Sequence, residues 1–440
     1  MLPPGPKLPQ AVQTLGWVTR PGPWLDRLHR RYGDAFTLRI VNEGTWVMLS
    51  DPEAIKQVFT ADPKLLHAGE ANKILRPLVG TRSVLLLDEG EHMTQRKLLL
   101  PPFHGERMKA YGDLMTAVAE EEIASWPASR PVATRPAMQR ITLEIVMRAI
   151  FGLQAGAERE GLRRALLAML DWTMDTRRLA LLIFLGPRRI GRLPDYRRVM
   201  GTLDEVIHAL IADRRAQGDL GDRADILSML LGATHDDGSP MTDEELRDEL
   251  VTLLVAGHET TATALSWALE RLARHPTAWR RLREGDEEYL DAVVKETLRL
   301  RPVLPIVVRR LTAPMTIGGF DLPAGVSVAP CIQLVHRRPD VYPEPRAFRP
   351  ERFLERPAGT YTWIPFGGGV RRCLGASFAQ FEMAAVLRVL ARRAAALTPD
   401  RPAPECVARR SITLVPARQG QVAIDPAPVP AAEPVAAAAA

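Results

Sequence analysis

The chain has 440 residues, 46% hydrophobic and 25% charged, with 58 lysines and arginines against 52 acids for a formal net charge of +6. This composition is ordinary for a globular chain and excludes the collagenous, disordered and disulfide-scaffold classes. Aromatic residues make up only 6% and no basic run is interleaved with them, so the positive balance reads as a solvated arginine-rich surface, or one facing an acidic protein partner, and not as a nucleic-acid interface.

In chain order, the opening Met1-Leu2-Pro3-Pro4-Gly5-Pro6 contains no apolar run long enough to cross a bilayer, so no transmembrane anchor is expected. The first sixty residues are proline-rich and then β-like: residues 36–40 alternate apolar and polar positions, and residues 45–49 are β-prone. Asp51-Pro52 opens a short helix. Residues 88–200 read as mainly helical, with loops around prolines. Within them His92 and Arg96 stand four apart on one helix face. Residues 179–186 form an apolar run between Arg177, Arg178 and Arg188, Arg189, suited to a lid, to core, or to contact with a membrane surface. Residues 213–239 hold a helix end and a Gly/Asp-rich loop.

Thr242-x-x-Glu245 is a capping box, with Asp243, Glu244 and Glu245 in the first turn. The helix it starts runs to His275-Pro276 and spans roughly 45–50 Å. Its middle is apolar enough to require burial. Ala256-Gly257-His258-Glu259-Thr260 interrupts that run. Gly257 costs about 1 kcal/mol against alanine, and its missing side chain would open room for a small ligand. Thr260 can bond back to a carbonyl one turn earlier. Glu259 offers a carboxyl group able to exchange protons with solvent. His258 has no second ligand at metal spacing and reads as a groove or packing residue.

A further helix covers residues 286–300, carrying Glu296-x-x-Arg299 on one face. Residues 303–335 read as short strands, the first at 306–308, and residues 336–365 as a long irregular stretch holding Arg352. Of three cysteines, Cys331 and Cys406 read as small hydrophobes. With no C-x-x-C pair, neither a zinc site nor a disulfide framework is implied, and a reducing, cytoplasmic setting follows. Cys373 is different. It sits in Phe366-Gly367-Gly368-Gly369-Val370-Arg371-Arg372-Cys373-Leu374-Gly375, a glycine-rich loop ahead of an apolar helix over 376–396. Backbone N–H groups, the helix dipole and guanidinium charge all favour a thiolate there. One domain is expected over 1–420, followed by an Ala/Pro-rich tail, 421–440, lacking the content to fold.

The pattern Phe-x-x-Gly-x-Arg-x-Cys-x-Gly resembles the haem-thiolate signature of the cytochrome P450 family, and its chance occurrence is below about one in a million per start position. The resemblance runs from Pro3 to about Pro416. It implies a mainly α fold with a smaller β-rich region, in which a long central helix crosses a buried haem b (iron protoporphyrin IX). It implies Cys373 as the iron ligand, with Phe366, Gly367, Gly375, Ala256 and Gly257 also against the haem. His92, Arg96, Arg309 and Arg371 would grip its propionates, and Glu296, Arg299 and Arg352 would form a buried charge network. Glu259 and Thr260 would manage protons. The implied activity is a soluble, monomeric monooxygenase that hydroxylates or epoxidises an apolar organic substrate. Its electrons would come from NAD(P)H through a ferredoxin and its reductase or a flavodoxin-type donor, docking near Arg372, Lys97, Arg107 and Lys109. Alternatives are a peroxygenase, a non-redox haem isomerase or dehydratase, and a non-enzymatic haem sensor or carrier. Pocket walls are expected from residues 68–87, 179–185, Leu253, Ala256, 303–308 and 412–414.

Overall fold

The structure, a computed structural model, describes residues 1–427 apart from 104–106, 154–155, 174, 176, 179–180 and 182–184. Prolines open the first two helices, neither of them expected from the sequence. Helix α1 (Gln10–Thr19) follows Pro9, and α2 (Pro21–Tyr32) carries proline in its first turn, where the missing N–H costs little. Strands β1 (Ala35–Ile40) and β2 (Gly44–Leu49) then pair antiparallel, Phe36 against Met48. Asp51 caps α3 (Pro52–Thr60) by accepting from Ala54 N at 2.9 Å. After β3 (Leu66–His67) come α4 (Glu89–Leu99), α5 (Arg107–Ala124), β4 (Pro131–Ala133), α6 (Thr134–Phe151), α7 (Ala157–Thr173), α8 (Pro194–Gln217) and α9 (Ile226–Gly232). Helix α9 stands where only a loop was expected; Asp225 caps it, accepting from Ser228 N.

The capping box forms as the sequence implies: Glu245 N donates to Thr242 Oγ1 at 3.2 Å, and Thr242 N to Glu245 Oε2 at 2.8 Å. It launches α10 (Asp243–Ala273), 31 residues and so about 46 Å long. Helices α11 (Pro276–Arg283) and α12 (Glu287–Leu300) follow. The short strands β5 (Arg309–Leu311), β6 (Met315–Ile317), β7 (Phe320–Leu322) and β8 (Ser327–Pro330) come next. The principal sheet has the order β1-β2-β8-β5-β3, with β2 and β8 parallel. Residues 306–308, expected as a strand, belong to no ladder; their backbone bond to a strand runs from Val307 N to Pro330 O at 3.1 Å.

Helix α13 (Ala376–Arg393) stops three residues short of its expected end, since Ala394–Ala396 pass into β9 (Ala394–Pro399). After the hairpin β10 (Val407–Arg410) and β11 (Thr413–Pro416), β12 (Gln421–Pro426) lies between β4 and β9. The tail boundary at 421 is therefore corrected. Val422 and Ile424 are buried in this sheet, and their apolar side chains make the segment structural. Residues 428–440 of the expected tail lie outside the described residues, as do most of residues 179–184.

One large core surrounds α10, uniting its Leu250, Leu254 and Leu265 with Ile141 and Ile145 of α6 and Val386 and Leu390 of α13. Each such side chain contributes about 1.5–3 kcal/mol by burial. The middle of α10 departs from this pattern. Leu253, Ala256 and Thr260, three and four residues apart on one face, retain accessible surface, Ala256 most of all.

Candidate active site

The cysteine loop is folded by its own backbone. Gly367 N donates to Ile364 O, Arg372 N to Gly369 O and Cys373 N to Phe366 O, each at 3.0 Å. Gly367 and Gly369 take φ of 68° and 66°, the left-handed region that glycine adopts without strain. A Cβ on Gly369 would also strike the carbonyl of Phe59, so the loop lies directly on the end of α3. Phe366 meets Trp363 edge-on at 6.0 Å between ring centroids, and Gly375 is the N-cap of α13.

The Cys373 side chain keeps accessible surface although protein closely surrounds it, so it faces an internal space. Burial raises its pKa, outweighing the Gly375 N–H and the charges of Arg96 and Arg372, which act the other way. The stabilisers expected from the sequence are present, but a bare thiolate is still disfavoured; a coordinated cation reverses that balance.

Around this space stands a surplus of positive charge. Burial lowers the His92 pKa to about 3, assisted by repulsion from Arg371, Arg96 and Arg309. Burial likewise lowers Arg309 to about 10, with Arg371 repelling and Asp88 attracting it. Arg371 is also brought to about 10, by burial opposed by Asp88. Asp88 is already shared: it holds Arg371 Nη2 at 2.5 Å and accepts from Gly69 N and Glu70 N. Arg96 has no carboxylate partner among the described residues. Three guanidiniums and one spent carboxylate fit a ligand that brings two more carboxylates, which is what a haem provides through its propionates. Asp88 was missed in the sequence, where it reads only as a helix start. Its carboxylate makes no cap bond to α4 and bridges two loops.

On α10, Thr260 Oγ1 donates to Ala256 O at 2.5 Å, the back-bond its type and spacing imply. Gly257 serves differently from the expectation. A Cβ there would meet Val146 Cγ2 of α6 at 3.3 Å, so its bareness lets two helices approach, while Ala256 and Thr260 border the open face. Glu259 is 2% exposed and points at α6, where Arg135 Nη1 donates to Oε1 at 3.0 Å and Gln139 Nε2 to Oε2 at 2.5 Å. This carboxylate is buried and engaged by two donors, where the sequence reading has it exchanging protons with solvent. Arg135 and Gln139, more than a hundred residues away, carry no sequence signal for it. His258 packs with Nδ1 2.8 Å from Thr142 Oγ1 and is held neutral, its pKa lowered by burial to about 3.

Glu296, Arg299 and Arg352 meet. Arg299 Nε and Nη2 donate to the two Glu296 oxygens at 2.6 and 2.8 Å, and Arg352 Nε to Oε1 at 3.2 Å. Arg299 also donates to the carbonyls of His336, Pro345 and Ala347, pinning the irregular stretch before the cysteine loop. Among the residues expected at a docking face, Arg372 is exposed and Lys97 is already paired with Asp236 at 2.7 Å. The side chain of Arg107 lies outside the described residues. Of the expected pocket walls, Leu414 is buried, fixed by its N–H to Val303 O at 2.7 Å and by Trp267 Nε1 to its carbonyl at 2.9 Å, while Ile412 beside it is exposed. A polar cleft of about 390 Å³ lies elsewhere, among Glu270, Arg274, Glu405 and Arg418. Its acids and arginines largely satisfy one another, and none of the chemistry above is near it.

A deep, accessible cysteine near more guanidiniums than carboxylates, with a long helix that has an open central face, fits a haem-thiolate protein. The chain belongs to the cytochrome P450 family, whose model matches residues 3–416. It is 45% identical over 405 residues to cytochrome P450 135B1 of Mycobacterium tuberculosis, covering 89% of this chain and 85% of that one. It is 39% identical over 421 residues to cytochrome P450 135A1 of the same organism, covering 94% and 93%. In fold it resembles the retinoic acid-bound cyanobacterial CYP120A1, with a TM-score of 0.84, 24% identity and coverage of 97% and 99%. The protein therefore binds protoporphyrin IX haem and is in general terms a monooxygenase. No helix among the described residues is long and apolar enough to cross a membrane.

Proposed function

We propose that this P450 inserts one oxygen atom of O2 into an apolar organic substrate, by hydroxylation or epoxidation. Electrons come from NAD(P)H through a separate ferredoxin–reductase pair or flavodoxin-type donor. The observation that carries this reading is the adjacent acid and alcohol, Glu259 and Thr260, with Ala256 on the open face of α10. A haem sensor or carrier has no need of such a pair.

When bound, the haem iron supplies oxygen activation. Cys373 would hold the iron through its deprotonated sulfur, while Phe366, Gly367 and Gly375 would shape its loop. His92, Arg96, Arg309 and Arg371 would bind the propionates and so orient the group. Ala256, on the open face of α10, would let the helix approach it, while Gly257 seats α10 against α6. Thr260 uses its hydroxyl proton on Ala256 O and so keeps lone pairs facing the open side, where it orients a water. Glu259 delivers protons only after releasing Arg135 or Gln139, which makes the clasp on its carboxylate part of the control of proton supply. Glu296, Arg299 and Arg352 fix the backbone before the cysteine loop and touch no reactant. The aliphatic Leu253, Val303 and Ile412 suit an apolar substrate.

The test compares turnover with NADPH plus redox partners against turnover with peroxide alone, on a substrate found by a haem spin-state screen. Product with reductant and O2 supports the reading. Product with peroxide only indicates a peroxygenase, and product without either an isomerase or dehydratase.

A further inference from the structure

Residues 80–88 form a strap between α10 and Arg371. Gly80 (φ +81°) sits so close to α10 that a Cβ would strike the Asp248 carboxylate. Beyond it the strap gives its donors to that helix: Arg82 N to Asp248 Oδ2 at 2.8 Å and Val84 N to Glu249 Oε1 at 2.7 Å, with Ser83 Oγ 2.7 Å from Thr252 Oγ1. Its acceptors face the other way. Arg371 Nη1 donates to Val84 O at 3.0 Å, and Nη2 to Leu87 O and to Asp88. Val84 is thus held at its N–H by α10 and at its carbonyl by the arginine of the haem loop.

Asp248 also accepts from Arg247 Nη1 at 2.9 Å. Glu249 has no such cation. It is 0% exposed, and its Oε2 has no hydrogen-bond partner. Gln95 of α4 lies beside it with its own Nε2 unpaired. The idle Gln95 Nε2 is a donor and the idle Glu249 Oε2 an acceptor, so a small shift of either side chain joins them in one bond. Burial, with Asp248 and Glu245 adding to it and the Val84 N–H and Gln95 opposing, raises the Glu249 pKa to about 8.

We propose that Glu249, buried without a cation between the Val84 N–H and the Gln95 amide, is the clasp that holds the 82–88 strap on α10 and, through the strap's carbonyls, positions Arg371. It is a positioning residue. The link to haem rests on the reading of Arg371 above, whereas the clasp does not.

The test is hydrogen exchange of the holoenzyme over residues 82–88, with haem loss to apomyoglobin measured on the same samples. In Glu249→Ala the strap should exchange at least tenfold faster, while the buried part of α10 around Leu265 keeps its protection. In Glu249→Gln, which retains an acceptor and a donor, strap protection should match wild type at pH 7. From pH 7 to 9 wild-type strap protection should fall, after correction for intrinsic exchange, and that of Glu249→Gln should not. Strap exchange within twofold of wild type in Glu249→Ala, or the same pH profile for wild type and Glu249→Gln, overturns the clasp. An opened strap with unchanged haem loss overturns the coupling to Arg371.

Discussion

Arg135 Nη1 lies 3.0 Å from Glu259 Oε1, both side chains buried, so the acid of the proposed proton route is held by the first turn of α6. Removing one member of a buried pair strands the other, at a cost of about 3–5 kcal/mol. Arg135→Ala should lower unfolding free energy by about that amount in denaturant titration. The double variant Arg135→Ala/Glu259→Gln should recover part of it, because no bare charge remains.

Thr260→Ala should leave haem and substrate binding intact and divert reducing equivalents to hydrogen peroxide. The measurement is peroxide and product per NADPH consumed. Unchanged product yield would remove Thr260 from the proton route.

Cys373→Ala should abolish the red-shifted carbon-monoxide band of thiolate haem, and Cys331→Ala and Cys406→Ala should keep it. Cys331 is fully buried, and burial pushes its thiol up to about 12, so it stays protonated and inert. Retention of the band by Cys373→Ala would reassign the ligand.

Because the Glu249 pKa is raised to about 8, the folded protein binds a proton there between about pH 4.5 and 8 that the unfolded chain has released. Unfolding free energy should therefore fall as pH rises through that window and level off above it. Glu249→Gln should flatten this component, by a few kcal/mol at most between the two ends. Equal slopes for both proteins in urea melts at a series of pH values would contradict the assignment.

Glu296→Ala should leave Arg299 and Arg352 buried without their shared carboxylate and cost at least about 3–5 kcal/mol. The expected outcome is poor recovery of folded holoprotein, scored by the carbon-monoxide band per mass of protein.

What the sequence made legible was local. The Thr242 capping box, the back-bond of Thr260 and the Glu296–Arg299 pair each lie within four residues, and all three form. The partners of Glu259 were not legible, because Arg135 and Gln139 belong to another helix and look like surface residues of it. Asp248 and Glu249 carry no sequence signal that separates them, and only the folded chain shows one paired with Arg247 and the other with an oxygen left unpartnered. Strands β9 and β12 were hidden for a different reason. Alanine favours helix, and Ala394–Ala396 become a strand only because Asp425 and Pro426 lie alongside, opposite Ala396 and Ala394. Helix α2 carried a readable signal in its proline start.

The last strand has a consequence for how the protein is made. Gln421 and Val422 pair with Ala133 and Val132, Arg135 N donates to Gln419 O at 3.1 Å, and Thr134 Oγ1 to Gly420 O at 2.7 Å. The residues that seat Arg135 are thus supplied by the far end of the chain, nearly three hundred positions later. During translation α6 and α10 can meet early, but the first turn of α6 gains its full set of contacts only when β12 has emerged from the ribosome. A chain interrupted shortly before residue 419 would still carry the cysteine loop and could still take up haem, yet Arg135 would be poorly anchored against Glu259. Pigmented but badly coupled protein is the expected product of such a truncation.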